Sequence, residues 1–550
     1  MIRETVGHFR DLPRYRQILA TLIRYGYQDV VTALHLQNLV RPIEKATMGD
    51  GVPPHDRAKR LRLICEELGP TFVKLGQLLS TRHDLLPEAY TKELSALCDD
   101  VRPFPFAEAE KILAEEFGRP ACELFASIDP VPVASASISQ VHRATFADGR
   151  EVALKIRRPG IEKVVQADLD ILKHLSQLGE RRLPFLVPYG PVALAQEFER
   201  SLHRELDLSI ERRTMERCRT QLEHDPGAYV PAVYREFCTS KVLAMEFIGG
   251  VSVDDLEGLK RMRVNPAHVA AGGARILMTQ IFRFGFFHAD PHSGNLRVLP
   301  GGVIAPLDYG LFGQLDQRTR ERIGDLLAGL IAQDTERVLR ALDALDIKGG
   351  HVDARVLRRD VAELVTAYSD LSLDNIDLAQ LLGELVLLIR NHQLHIPADL
   401  ILLVRALVEI ESVGRRLDPH FDIAAHVLPL LRELSLKRLS PWRFLTQTAR
   451  TVDDLQRIAT VLPELLGEAL DSVKQGALTV RFDLHNFERL VLQLNRASNT
   501  LAAGIVIAGL LIGSSLLVRS GLGYVSLGYG GFLIALTLAI WLIWNMFRGS

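Results

Sequence analysis

The chain has 550 residues, 47% of them hydrophobic and 24% charged, which excludes a disordered protein and gives material for about two to four domains with sizeable cores. Its 65 basic and 67 acidic residues leave a net charge of -2, and with arginines spread among acids there is no electrostatic footprint for a nucleic-acid partner. The five cysteines lie far apart with no C-x-x-C pair, which argues against a disulfide framework and a thiolate zinc site and fits a reducing compartment.

The N-terminus, MIRETVGHFRDLPRYRQ, lacks an apolar h-region and carries Glu4 and Asp11, so it reads as neither a secretory signal nor a transit peptide. Residues 1–125 read as a helical extension. Tyr15 to Leu39 and Arg57 to Leu68 place apolar residues at helical spacing, and a further helix begins at Gly69-Pro70. The character changes in residues 126–250. There VPVASASIS, QVHRATF and EVALKI are short β-prone runs joined by the turn Asp148-Gly149, the one convincing antiparallel sheet signal. Helical periodicity returns at Val164 to Leu178 and Val192 to Glu223, then the strand-like KVLAMEFI stops at Gly249-Gly250. Residues 251–435 read as a helical lobe that opens with an apolar helix, Ala270 to Phe284, and is leucine-rich from Gln317 onward. Residues 436–500 read as a helical connector.

Residues 501–546 hold two charge-free runs, LAAGIVIAGLLIGSSLLV and GGFLIALTLAIWLIWNM, each near the ~20 residues that cross a hydrocarbon core. They predict a transmembrane hairpin. Arg481, Arg489 and Arg496 precede it and Arg548 follows it, against Arg519 alone in the connecting loop, so the positive-inside bias places both ends in the cytoplasm. Trp541 and Trp544 suit an interface, and Gly509 and Gly513 form a G-x-x-x-G that allows close helix approach.

The chemistry concentrates between residues 285 and 313, GFFHADPHSGNLRVLPGGVIAPLDYGLFG. Asp290 is followed five residues later by Asn295, and Asp308 comes after the β-prone pair VLPGGVIAP. A kinase catalytic loop has Asp and Asn at that offset and a D-F-G after a short hairpin, because one carboxylate orients the nucleophile while the amide and second carboxylate hold Mg²⁺. A rival reading makes His288, Asp290 and His292 metal ligands, but Pro291 disfavours an interior strand and Asn295 and Asp308 then have no task. Upstream, Val152-Ala153-Leu154-Lys155 matches the strand whose lysine meets the phosphates, and Glu211 is its candidate partner. The preceding turn, Ala134-Ser135-Ala136-Ser137-Ile138-Ser139, stands where a kinase has glycines; its Cβ atoms restrict positive φ, so a nucleotide is held differently.

With these residues in order, the chain is identified as a member of the UbiB/ADCK (AarF-domain) atypical kinases over roughly residues 15–420. The resemblance rests on Lys74-Leu75-Gly76-Gln77 as K-x-G-Q, the alanine-rich loop, Glu205-Leu206-Asp207 as E-x-D, HADPHSGN, and Leu307-Asp308-Tyr309-Gly310 for the D-F-G element. It implies an α+β, protein-kinase-like two-lobed fold with a small antiparallel sheet in the N-lobe, a helical C-lobe and a membrane-anchored C-terminus. It implies ATP and Mg²⁺, with nucleotide contacts from residues 134–139, Val141, Ala153, Lys155 and the strand residues Met245, Glu246 and Phe247. Asp290, Lys155 and Glu211 are the expected catalytic set, Asn295 and Asp308 the metal ligands, and Lys74, Gln77, Glu205 and Asp207 a lid over the site. ATP hydrolysis in support of ubiquinone biosynthesis at the inner membrane is the implied activity, with a lipid or quinone precursor and other quinone-biosynthesis proteins as partners and a dimer left open. A nucleotide-binding scaffold and a true protein or small-molecule kinase are the alternatives. Lys74 and Gln77, three apart on one helix face, are expected to reach a common target. The chain departs from the family pattern at Ser135, Ser139, Ser293 and Tyr309, the last adding a hydroxyl that wants a partner if buried.

Overall fold

The computed structural model describes residues 11–36, 56–97, 101–345, 353–367 and 378–423, except for a few isolated positions, together with short helical pieces between 506 and 538. The chain divides into two units, Met1–Ser440 and Pro441–Ser550. The whole of the expected connector and most of the two apolar runs lie outside the described residues. Among the described residues no helix is long and apolar enough to cross a membrane.

The N-terminal extension is a cluster of short helices. The run expected from Tyr15 to Leu39 is two of them, α1 (Leu12–Arg24) and α2 (Gln28–Ala33), because Gly26 takes φ 85° and turns the chain. Next come α3 (Arg57–Leu68), α4 (Pro70–Ser80) and α5 (Glu88–Ser95). Tyr15, Ile18, Leu19, Ile64, Phe72 and Leu94 close into one buried apolar cluster. Gly76 of α4 sits where a Cβ would collide with the side chain of Leu97 and press on Cys65, so close packing demands glycine there.

The N-lobe sheet has the order β1 (Ser127–Ile128), β3 (Ser139–Thr145), β4 (Glu151–Arg157), β5 (Val242–Glu246), with β2 (Ala134–Ser135) also paired to β3, all antiparallel. Helices α6 (Phe106–Phe117) and α7 (Ala121–Leu124) contribute to an apolar cluster with β4 and β5 residues such as Val152, Leu154 and Val242. Three longer helices follow β4: α8 (Ile161–Arg182), α9 (Pro191–Leu206) and α10 (Leu208–Leu222). The helical run expected across Val192 to Glu223 is cut at Asp207. Its extended backbone ends α9, and its carboxylate caps α10 by accepting the Ser209 N–H at 3.0 Å.

The C-lobe begins with β6 (Val251–Ser252), α11 (Leu256–Arg261) and α12 (Pro266–Met278), which runs into a π-helical turn at Thr279–Phe284. The short strands β7 (Phe286–His288), β8 (Leu296–Leu299), β9 (Val303–Pro306) and β10 (Phe312–Gln314) then make two small sheets, β6-β8-β9 and β7-β10. Gly301 and Gly302, at φ 82° and 81°, form the β8–β9 turn. The remainder is α13 (Gln317–Ile331), α14 (Thr335–Ala344), α15 (Ala354–Ala367), α16 (Leu378–Asn391) and α17 (Ala398–Leu417). One large apolar core joins α10, α12, β7 and these helices, and includes Met215, Ile281, Phe287, Tyr309 and Leu407. This core carries the two loops on which the chemistry-bearing residues sit.

Candidate active site

Lys155 lies on β4 and points between two carboxylates. Its Nζ donates to Glu211 Oε1 at 2.8 Å and to Asp308 Oδ1 at 3.1 Å, so α10, β4 and the loop after β9 meet at one ammonium. Burial works against the lysine's charge, but Asp308 and Glu211 outweigh it and hold its pKa above the ordinary value. Two carboxylates sharing one cation cannot be equally stabilised as anions. Burial pushes Glu211 up to about 7, with Lys155 opposing. For Asp308, Lys155 overcomes burial and holds the carboxyl below the usual range. Asp308 Oδ1 also accepts the Gly310 N–H at 3.3 Å, and Glu211 Oε1 accepts the Tyr309 N–H at 3.3 Å, so this loop is pinned to α10 through its main chain.

The loop after β7 is braced by its histidines. His288 Nδ1 accepts the Asp290 N–H at 3.1 Å, and His292 Nδ1 accepts the Gly294 N–H at 3.1 Å. The His288 main-chain N–H donates in turn to Gln280 Oε1 in the π-helical turn, at 3.2 Å. Burial holds His288 below the usual imidazole pKa, so the ring is neutral and its Nδ1 is free to accept. Asn295 donates its amide to Asp290 O at 3.4 Å, which aims its Oδ1 away from that carbonyl. Arg405 of α17 donates from Nη2 to Asp290 Oδ1 at 2.6 Å. No sequence pattern pointed to Arg405: it lies 115 residues from the aspartate it holds, in a helix whose periodicity reports only packing. Gln280 lies only 8 residues from His288, but in an apolar helical run whose pattern likewise reports only packing.

The expected nucleotide loop is a tight turn between β2 and β3. The hydroxyls of Ser135 and Ser137 are buried there without a hydrogen-bond partner. Val141 sits opposite Lys155 across β3 and β4, and Ala153 sits opposite Met245 across β4 and β5. Two of the expected nucleotide-contact residues also make protein contacts. The Glu246 carboxylate accepts Tyr229 Oη–H at 2.8 Å and the Ala232 N–H at 3.0 Å, and the Phe247 N–H donates to Glu151 O at 3.2 Å.

The four lid residues do not converge as expected. Lys74 and Glu205 form an ion pair at 2.7 Å. Gln77, however, donates to Leu97 O at 3.1 Å, and Asp207 is the helix cap already described. Helix geometry puts Lys74 and Gln77 on one face, but the close α4–α5 packing at Gly76 brings the Leu97 carbonyl within reach of Gln77 first. Leu75 and Leu78 of α4 pack on the apolar cluster that contains Ile138 of the nucleotide loop. The lid helix and the loop therefore share one core.

Residues 96–342 match the ABC1 atypical kinase-like domain, 361–422 the UbiB helical domain, and 485–548 the ABC1/UbiB kinase-like C-terminal domain. A protein of Xanthomonas axonopodis pv. citri named probable protein kinase UbiB is 34% identical over 85% of this chain and 86% of its own length. The chain belongs to the UbiB family of atypical kinase-like proteins. A second UbiB relative, from Xylella fastidiosa and also named probable protein kinase, is 35% identical over 84% of this chain and 85% of its own. A Clostridium pasteurianum protein described only by its position in the hydrogenase 1 5' region is 28% identical over 98% of this chain and 99% of its own. The kinase-like domain match covers Lys155, Glu211, Asp290, Asn295 and Asp308, while Arg405 falls in the UbiB helical domain. Such a domain implies ATP and Mg²⁺, and the donor set fits them: an ammonium for phosphate, hard oxygens for the metal, and orphaned hydroxyls in the loop above.

Proposed function

We propose that this chain is a membrane-associated, Mg²⁺-dependent ATPase of kinase fold that acts on lipid quinone precursors in support of ubiquinone biosynthesis. The observation that supports it most is the closed triad Lys155–Glu211–Asp308, the arrangement an active phosphoryl-transfer site requires of its lysine and metal-binding loop. Lys155 contacts the phosphates, and Glu211 holds its ammonium in line. Asn295 and Asp308 hold Mg²⁺, which when bound neutralises charge on the phosphate oxygens. Asp290, held by Arg405, orients the attacking oxygen and takes up its proton. The ion pair Lys74–Glu205 ties α4 to α9, which favours water or a lipid headgroup over a protein chain as acceptor. The two apolar C-terminal runs anchor the chain in the inner membrane with the catalytic domain in the cytoplasm.

The deciding experiment follows labelled γ-phosphate in the purified full chain, with and without anionic vesicles and quinone precursors. Free phosphate that rises with lipid and is lost in Asp308→Asn supports the ATPase. Label on a protein acceptor would replace it with the protein-kinase reading that the relatives' names carry. Equal phosphate release by wild type and Asp308→Asn would leave a nucleotide-binding scaffold.

A further inference from the structure

The turn at Ala136–Ser139 has three carbonyls engaged, those of Ala136, Ile138 and Ser139, while several of its donors are open. The Ala136 N–H donates to Ser139 O at 2.7 Å, closing the turn. Ile138 O accepts the main-chain N–H of Arg158 at 2.7 Å, and Ala136 O accepts Arg158 Nη2 at 3.2 Å. By contrast, among the described residues no hydrogen bond engages the main-chain N–H of Ser137 or Ile138, and the hydroxyls of Ser135 and Ser137 have no partner there although Ser137 is 0% exposed. A trans peptide holds C=O and N–H on opposite sides. Anchoring the Ala136 carbonyl on Arg158 therefore turns the Ser137 N–H away from the guanidinium. Open N–H and O–H donors grouped in one turn, with the Ala136 and Ile138 carbonyls tied back, suit an anion with several oxygens.

A glycine-rich loop reaches such an arrangement by choosing peptide orientations freely. A loop with a Cβ at every position cannot, since positive φ is closed to it. Its peptide planes have to be held from outside. We infer that Arg158 is the positioning residue of this loop, fixing the Ala136 and Ile138 carbonyls so that the Ser137 N–H and its neighbouring donors are set toward the phosphates of a bound nucleotide. The arginine is itself seated on both sides. Its Nη2 also donates to Arg102 O at 3.2 Å, and its guanidinium lies 5.3 Å from the Phe104 ring centroid. The Phe104 main chain is clasped by Gln140 of β3, whose Oε1 accepts its N–H at 3.1 Å and whose Nε2 donates to its carbonyl at 3.4 Å. Residues 102–104, Gln140 and Arg158 thus form one linked set of contacts that ends on the Ala136 carbonyl.

This inference rests on the nucleotide reading above, and the test separates the two. In the full chain, affinities for Mg-ATP and for adenosine are measured beside the ligand-free melting temperature, for wild type, Arg158→Met and Arg158→Lys. Adenosine has no phosphate and reports the strand contacts alone. Arg158→Met weakens Mg-ATP about tenfold or more while adenosine stays within about twofold. Arg158→Lys falls between, because one ammonium still reaches one carbonyl. Equal losses for both ligands, or an unchanged Mg-ATP affinity, overturn the positioning role and leave Arg158 as structural glue. Should the methionine variant not fold, the ATP-to-adenosine affinity ratio of Arg158→Lys decides: a ratio equal to that of wild type overturns the inference. A wild type that binds neither ligand overturns the nucleotide reading itself.

Discussion

Tyr309 follows Asp308 in the loop after β9 and is 1% exposed. Its ring lies nearly parallel to Phe312, with centroids 5.9 Å apart, and its hydroxyl has no hydrogen-bond partner. Burial holds its pKa well above the ordinary phenol value, the expected sign for a hydroxyl stripped of water. Replacing Tyr309 by Phe deletes that oxygen and keeps the ring contacts. The stranded hydroxyl costs about 1–3 kcal/mol, and no cavity term offsets its removal because the ring stays. With roughly 1 °C per kcal/mol for a unit the size of Met1–Ser440, the ligand-free Tyr309→Phe protein should melt about 2 °C higher. Thermal and urea unfolding of the ligand-free protein measure it, and the urea midpoint rises with an unchanged slope. Mg-ATP affinity should hold, because the loop is tied to Glu211 through the Tyr309 main-chain N–H, which phenylalanine retains. A lower or unchanged melting temperature would refute the reasoning by showing the hydroxyl to be satisfied. A stability gain with lost ATP affinity would show the hydroxyl at work in the nucleotide-bound state.

Arg405→Met frees Asp290 from the 2.6 Å contact that orients it, so ATP turnover should fall by about 10²-fold with Mg-ATP affinity within about twofold; parallel losses in phosphate release and ATP titration would count against orientation. Arg14 donates to both oxygens of Asp168, at 2.7 and 3.0 Å, and that carboxylate is fully buried. Arg14→Met should therefore cost about 3–5 kcal/mol and Arg14→Met/Asp168→Asn less, read as hydrogen exchange in α1 and α8; a double variant no better than the single would reject a buried-charge penalty. Burial pushes the thiols of Cys65 and Cys218 up to about 12, whereas Cys122 is exposed. Alkylation at pH 8 should modify Cys122 long before either, read site by site by mass spectrometry, and comparable rates in native protein would contradict the packing.

What could be read from the chain and what could not divide along a physical line. Asp290, Asn295, Asp308 and Lys155 stood out because phosphoryl transfer needs those groups at offsets a short loop or strand enforces, and local spacing survives in sequence. Glu211 was assignable as a partner only because the lysine demanded one, and the fold places it at 2.8 Å. Helix lengths were legible, but their ends were decided by single residues: Gly26 took positive φ, and Asp207 capped α10 when its motif role suggested the lid. Gln77 went to Leu97 because of how α4 packs on α5, which no spacing rule contains.

The residues that escaped entirely, Arg405, Gln280 and Arg158, all act on the main chain or carboxylate of a motif residue from another element. Such second partners matter more here than in a glycine-loop kinase. A chain that places Cβ atoms in the turn where a kinase has glycines gives up the local freedom that lets glycine adapt, so the orientation of its peptides has to come from contacts outside the turn. The alanine-serine loop and its brace are in that sense one feature: the first can be read directly in the sequence, and the second is what makes the first workable.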